Sequence, residues 1–133
     1  MAYRRNETPL EAQEQTYLFR WASDMGDLKW PELHFMYAIP NGGSRHKLEA
    51  ANLKKQGVKS GVPDVMLPVA RQGYHGLYIE MKRRRGGTLS ADQKKFIKLL
   101  QAQGYRVERC NGFHAAADVI EDYMTNEKEK RNG

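Results

Sequence analysis

Gly61-Val62-Pro63-Asp64-Val65-Met66-Leu67-Pro68, followed by Leu77-Tyr78-Ile79-Glu80-Met81-Lys82, decides how this chain is read. Both pieces are short apolar runs with acidic residues set among Val, Leu and Ile, the pattern of buried strands that carry chemistry. The polar, Gly-containing connection Ala70-Arg71-Gln72-Gly73-Tyr74-His75-Gly76 reads as a hairpin turn. Residues i and i+2 of a strand share a face, so Glu80 and Lys82 emerge side by side and Met81 points the other way. Gln72 is the midpoint between Asp64 and Glu80. A hairpin symmetric about it sets the two carboxylates opposite each other, about 5 Å apart at Cβ. A slip of one residue would send them to opposite faces.

Two carboxylates this close repel and raise a pKa unless a cation lies between them. A hard divalent ion bound through oxygen meets that need, and Mg²⁺ is commonly held by one or two carboxylates with phosphate oxygens and water. Lys82 can then hold or deprotonate a water, or offset charge building on a phosphate. The plain alternative is that Glu80 and Lys82 form an ordinary charge pair on a solvated face.

Working outward, the chain has 133 residues, enough for one domain with one core. Its apolar fraction of 40% argues against disorder, and no apolar run approaches a membrane span. The N-terminal residues lack the apolar stretch of a signal peptide. Cys110 is the only cysteine, which leaves no disulfide framework and no cysteine-based zinc site. His34, His46, His75 and His114 show no zinc-like spacing. These features fit a reducing cytoplasm. The formal charge of +6 is compatible with a polyanionic partner.

Thr8-Pro9 reads as a helix start, with Thr8 as N-cap, Pro9 at the first helical position and Glu11 as the capping-box partner. Leu10, Tyr17, Leu18, Trp21 and Met25 recur at helical spacing, and Gly26 suits the end. Glu14 falls near the middle of that stripe, while Glu11 and Gln15 share its flank. Either acid can reach a metal site from there, or simply serve the helix's first turn. His34-Phe35-Met36-Tyr37-Ala38-Ile39 reads as a strand ending in Pro40-Asn41-Gly42-Gly43-Ser44-Arg45, a turn whose N–H groups can form an anion-binding nest. A second helix is expected from His46 to Gln56, stopped at Gly57. After Lys82 comes Arg83-Arg84-Arg85-Gly86-Gly87, a basic run that can hold a phosphate backbone or be only a solvated loop. Ser90-Ala91-Asp92-Gln93 opens a capped helix that Gly104 closes. A strand over Tyr105-Arg106-Val107-Glu108-Arg109-Cys110 and a helix after Asn111-Gly112 follow. Residues 125–133 are charged and, with residues 1–8, expected to be flexible. The order is α-β-α-β-β-α-β-α, an α/β chain with a mixed central sheet flanked by helices.

Taken together, Pro40-Asn41-Gly42-Gly43-Ser44-Arg45, Gly57-Val58-Lys59-Ser60-Gly61-Val62-Pro63-Asp64, Gly76-Leu77-Tyr78-Ile79-Glu80-Met81-Lys82 and Leu89-Ser90-Ala91-Asp92-Gln93 resemble the VRR-NUC family. This is the virus-type replication-repair branch of the PD-(D/E)xK nucleases, and the resemblance runs roughly over residues 11–123. It implies a single-domain restriction-endonuclease-like core of the stand-alone phage or bacterial type, and a DNA nuclease dependent on Mg²⁺ or Mn²⁺. By the family pattern Asp64 and Glu80 are metal ligands, joined by the Met81 carbonyl, and Lys82 is the catalytic lysine. Glu11, four residues before Gln15, matches the family's N-terminal acid, with Glu14 as runner-up. Gln93 matches a recurrent glutamine beside the site, or caps its helix behind Ser90, or both. Arg45, Lys59, Arg83, Arg84 and Arg85 are then the DNA-binding side chains, holding the backbone without reading bases. Similarity to dimeric Holliday-junction resolvases implies a homodimer acting on branched DNA. The rivals are a non-catalytic DNA-binding module on the same fold, a flap- or nick-directed enzyme, and a restriction-type enzyme, which needs a base-reading element.

Overall fold

The computed structural model describes residues 8–40 and 47–125. The Gly-rich turn with Arg45 and His46, and both expected flexible ends save residues 8 and 125, lie outside the described residues. The elements in order are α1 (Glu11–Leu28), a 3₁₀ helix (Pro31–Phe35), β1 (Tyr37–Ala38), α2 (Lys47–Lys55), β2 (Val65–Leu67), β3 (Leu77–Lys82), α3 (Ala91–Ala102), β4 (Arg106–Asn111) and α4 (Phe113–Thr125). Among the described residues the sheet runs β1-β2-β3-β4. Its first two pairings are antiparallel and β3–β4 is parallel. The parallel pair needs a crossover, and α3 supplies it.

β3 organises the sheet because its alternation sorts two environments. Leu77, Ile79 and Met81 face a core that also takes Val65 and Leu67 of β2, Cys110 of β4, Leu18 and Ala22 of α1, and Ala116, Ile120 and Tyr123 of α4. Burying each of the large side chains in this group removes it from water at a gain of about 1.5–3 kcal/mol. Tyr123 is fully buried, and its hydroxyl finds a partner by donating to the Val69 carbonyl at 2.6 Å. Tyr78, Glu80 and Lys82 point to the opposite face, where α3 packs.

The β2–β3 register is the one the sequence implies: Val65 faces Ile79 and Leu67 faces Leu77, so the next pair outward is Asp64 and Glu80. The route to it is not symmetric. The tip is a two-residue turn at Gln72 and Gly73, both with positive φ (57° and 83°), closed by an Arg71–Tyr74 bridge. That tip is centred half a residue beyond Gln72. An extra residue in the Pro68-Val69-Ala70 arm restores the register, with Val69 N–H donating to the Leu67 carbonyl at 2.9 Å around Pro68.

Four expectations need correction. Thr8 does not cap α1: the helix begins at Glu11, Leu10 is the N-cap, and the Leu10 N–H is satisfied by the Gln13 side chain at 2.8 Å. The Thr8 and Pro9 carbonyls instead accept Arg83. Gly26 does not end α1 but lies inside it, because the His34 ring packs on it so closely that a Cβ would come within 2.7 Å of Nε2. The strand expected over residues 34–39 shrinks to Tyr37–Ala38, since Pro31 starts a 3₁₀ helix that runs to Phe35, and its buried Leu33 is followed by buried Met36 three residues on rather than two. Glu11 is not a capping-box partner but the first residue of α1, and Gln13 takes that place.

Among the described residues no helix is long and apolar enough to cross a membrane.

Candidate active site

The site forms where β2 and β3 run out together on the α3 face. Asp64 just precedes β2, and its carbonyl is fixed by the Ile39 N–H at 2.8 Å. Its carboxylate turns toward β3, where Oδ2 accepts the Met81 N–H at 2.8 Å. One step further along the same register Met81 stands opposite Pro63. A strand residue directs its N–H and C=O to the same edge. The Met81 carbonyl therefore faces the Asp64 side, and Pro63 has no N–H to give it. That carbonyl is placed to serve as a ligand, as the motif implies.

Glu80 is 1% exposed, a buried carboxylate on a sheet face. Its Oε2 accepts from Gln93 Nε2 at 2.9 Å and lies 3.7 Å from Lys82 Nζ. Its Oε1 is buried, and no N–H or hydroxyl among the described residues donates to it. Burial first, and then the negative charge of Asp64, push the Glu80 pKa up to about 8, against the opposing pull of Lys82; a hydrogen bond shared with the Asp64 carboxyl, and then the charge of Glu11, add to the rise. The expected ordinary charge pair is thus not what is seen, because a buried acid set against a second carboxyl is under-compensated by an ammonium 3.7 Å away.

Gln93 fills both roles allowed it. Its Oε1 accepts the Ser90 N–H at 2.8 Å while Ser90 Oγ accepts the Gln93 N–H at 3.1 Å, the capping box of α3. The same Oε1 lies 3.4 Å from Lys82 Nζ. One glutamine therefore fixes the helix start and orients both Glu80 and Lys82. Lys82 is 7% exposed. The loop after it folds over its stem, with Gly87 at φ +81° and so close that a Cβ would lie 3.2 Å from Lys82 Cδ. Sequence reasoning passed over the residues that pin this loop. Arg109 donates to the Gly86 and Gly87 carbonyls, and Asn111 to those of Arg83 and Gly86. Both sit on β4 opposite Glu80 and Lys82.

The helix acids separate. Glu11 is exposed and near enough to bear on the Glu80 charge. Glu14 is fully buried, its oxygens taken by Arg84 Nε at 2.7 Å and the Phe113 N–H at 3.0 Å. Glu14 is thus a clamp joining α1, the basic loop and the start of α4, and not an open ligand. Of the basic residues, Arg83 is used on the Thr8 and Pro9 carbonyls and Arg84 on Glu14. Arg85 and Lys59 are exposed.

Among the described residues no three His, Cys, Asp or Glu side chains gather closely enough to hold a metal. What the chain offers is a pair of carboxyls and a main-chain carbonyl. This all-oxygen set suits Mg²⁺ or Mn²⁺, which take further ligands from phosphate and water. Because burial and Asp64 raise the Glu80 pKa, the stability contributed by its neutral form is complete below its unfolded value near 4.5 and is lost as pH rises through about 8. In EDTA the protein should melt several degrees lower at pH 9 than at pH 6. Glu80→Gln, which keeps an oxygen for Gln93, should remove most of that drop. Parallel thermal melts of the two proteins check it, and matching pH dependences would show that Glu80 carries no such strain.

An antiparallel hairpin presenting Asp and Glu-x-Lys at its end, continued into a parallel strand through a capped helix, defines a PD-(D/E)xK-like nuclease fold. The model of the VRR-NUC domain matches residues 8–114, and the chain belongs to that family. A solved structure described as a VRR_NUC domain protein is similar at 27% identity and a TM-score of 0.77, over 94% of this chain and 95% of that one. No curated protein matches the sequence. Family and fold make this a nuclease-type, DNA-processing domain.

Proposed function

We propose that this chain hydrolyses DNA phosphodiester bonds with Mg²⁺ or Mn²⁺, acting on branched DNA as a homodimer. The observation that carries the hydrolytic reading is the buried Glu80 carboxyl set against that of Asp64, with no N–H or hydroxyl donor among the described residues to its Oε1. A pure DNA-binding module has no use for a strained pair of acids next to phosphate. In this reading Asp64 and Glu80 hold the cation with the Met81 carbonyl, and Glu11 serves its outer side. The bound ion would polarise the phosphate and stabilise the leaving oxygen.

The chain's own groups do the rest. Gln93 keeps Lys82 Nζ aimed along the β3 face, where it orients the attacking water and offsets negative charge in the transition state. Stacking of the Gly86-Gly87 turn on the lysine stem excludes water from one side. Arg85 and Lys59, with Arg45, hold the backbone, and Arg83 and Arg84 add charge while fixed to the protein. The branched-DNA reading rests on the family and on the absence, among the described residues, of an inserted element for reading base edges. Pairing is supported by the edge strand β1 and the 3₁₀ helix before it, where Tyr37 and Phe35 are 49% and 71% exposed.

The test is a panel of synthetic four-way junctions, flaps, nicked and intact duplexes and single strands, each with Mg²⁺, Mn²⁺ or EDTA. The expected result is paired cuts on two opposing strands of the junction, only with a divalent ion. A chain that binds the junction and cuts nothing is a binding module on a nuclease fold. Light scattering at micromolar concentration tests pairing, and a monomer there removes the dimer while leaving hydrolysis intact.

A further inference from the structure

Beyond the site, α1 carries a groove of about 420 Å³ that the hydrolytic chemistry does not use. Tyr17 and Trp21 of α1 and Phe113 of α4 line it, together with Arg20, Arg84, His114 and a single acid, Asp24. The rings are held rather than loose. Trp21 and Phe113 pack against the core, and Tyr17 meets Phe113 edge-to-face at 6.4 Å between centroids. Arg84 is fixed by its 2.7 Å contact with the fully buried Glu14.

We infer that this groove takes an unpaired base of the DNA strand that also enters the active site, an inference that rests on the nuclease reading. Three features select that occupant. Rigid aromatic faces beside guanidinium groups are how proteins hold unstacked bases, whereas bases inside a duplex have no free face to offer. Arg20, beside the Glu14-held Arg84, supplies guanidinium donors for a nucleotide's phosphate. The volume falls in the range of small-ligand sites, about 300–1,000 Å³.

Position agrees. α1 begins at Glu11, which bears on Glu80, and passes Glu14 before reaching Tyr17 and Trp21. The six to ten residues between Glu11 and the rings span about 9–15 Å along the helix. At about 3.4 Å per nucleotide that is three or four nucleotides from the cut. The substrate class is therefore narrowed to branched DNA with a short unpaired segment on that side of the scissile phosphate.

The experiment uses the full chain in EDTA and fluorescence anisotropy with two labelled DNAs. Both carry a duplex with a four-nucleotide single-stranded arm, one arm with bases and the other abasic, so that the phosphates match. Wild type should prefer the arm with bases about tenfold. Trp21→Leu should erase that preference, and Trp21→Phe should keep most of it. Tyr17→Ser provides a second loss variant should Trp21→Leu melt early, and it should reduce the preference likewise. Equal binding of the two arms by wild type, or a preference unchanged in both loss variants, overturns the inference. So does a change of assembly state in either variant, which would make the groove an interface between copies. Wild-type cleavage of a junction in Mn²⁺ separates the two levels. Cleavage without base preference sinks the groove alone, and neither binding nor cleavage sinks the nuclease reading with it.

Discussion

Asp64→Ala, Glu80→Gln and Lys82→Ala should each lower DNA cleavage by about 10³-fold or more, in the range seen when one preorganised charge-stabilising group is removed from an active site. Each acts through a different defect. Asp64→Ala removes the carboxylate that the Met81 N–H orients at 2.8 Å. Glu80→Gln keeps the shape and the Gln93 contact but replaces a carboxyl oxygen that the cation would bind. Lys82→Ala leaves both acids and removes the ammonium that Gln93 aims. At neutral pH in EDTA, DNA affinity should be tighter in Asp64→Ala, which removes a negative charge near phosphate, and unchanged in Glu80→Gln, because the raised pKa already keeps that carboxyl neutral. Single-turnover cleavage with anisotropy on the same preparations separates the effects. Near wild-type cleavage in one variant would take that residue out of the mechanism, and a parallel loss of binding would mean that the substitutions disturb the fold.

Glu14→Ala should cost stability on the order of 2 kcal/mol, since it removes the fully buried carboxylate that holds Arg84 and leaves the Phe113 N–H at the start of α4 without its acceptor. Glu14→Gln should cost less, because an amide oxygen still accepts one of the two bonds. Glu11→Gln should not move the melting temperature, yet it should slow cleavage about tenfold or more through the outer side of the cation site. Urea unfolding and cleavage rates on the three proteins make the comparison. If Glu14→Gln slowed cleavage more than Glu11→Gln while staying as stable as wild type, the assignment of the two acids would be reversed.

These two acids show where sequence periodicity reads correctly and still misleads. The helical stripe put Glu14 closest to the interior, and Glu14 is indeed fully buried. Burial was taken as nearness to a metal, whereas its partners are Arg84, seventy residues away, and the first turn of α4. Long-range pairing of that kind has no local signature. The hairpin was legible because period-two alternation, turn residues and chain length together fix register. Its extra residue around Pro68 was not, since it cancels the offset of the turn. The 3₁₀ segment over Pro31–Phe35 was misread because a short apolar run does not separate a period of two from one of three. The loop-pinning roles of Arg109 and Asn111 depend on the parallel β3–β4 register, which only the crossover through α3 establishes.

The central claim is that Asp64 and the buried Glu80 together hold a divalent cation for DNA cleavage. The most direct measurement is one time course on an end-labelled four-way junction: wild type first in EDTA, then in the same tube after excess Mn²⁺, with Glu80→Gln run beside it. The account predicts no product in EDTA, rapid product after Mn²⁺ for wild type, and essentially none for Glu80→Gln in either phase. Cutting in EDTA, or Mn²⁺-dependent cutting by Glu80→Gln at the wild-type rate, would contradict it.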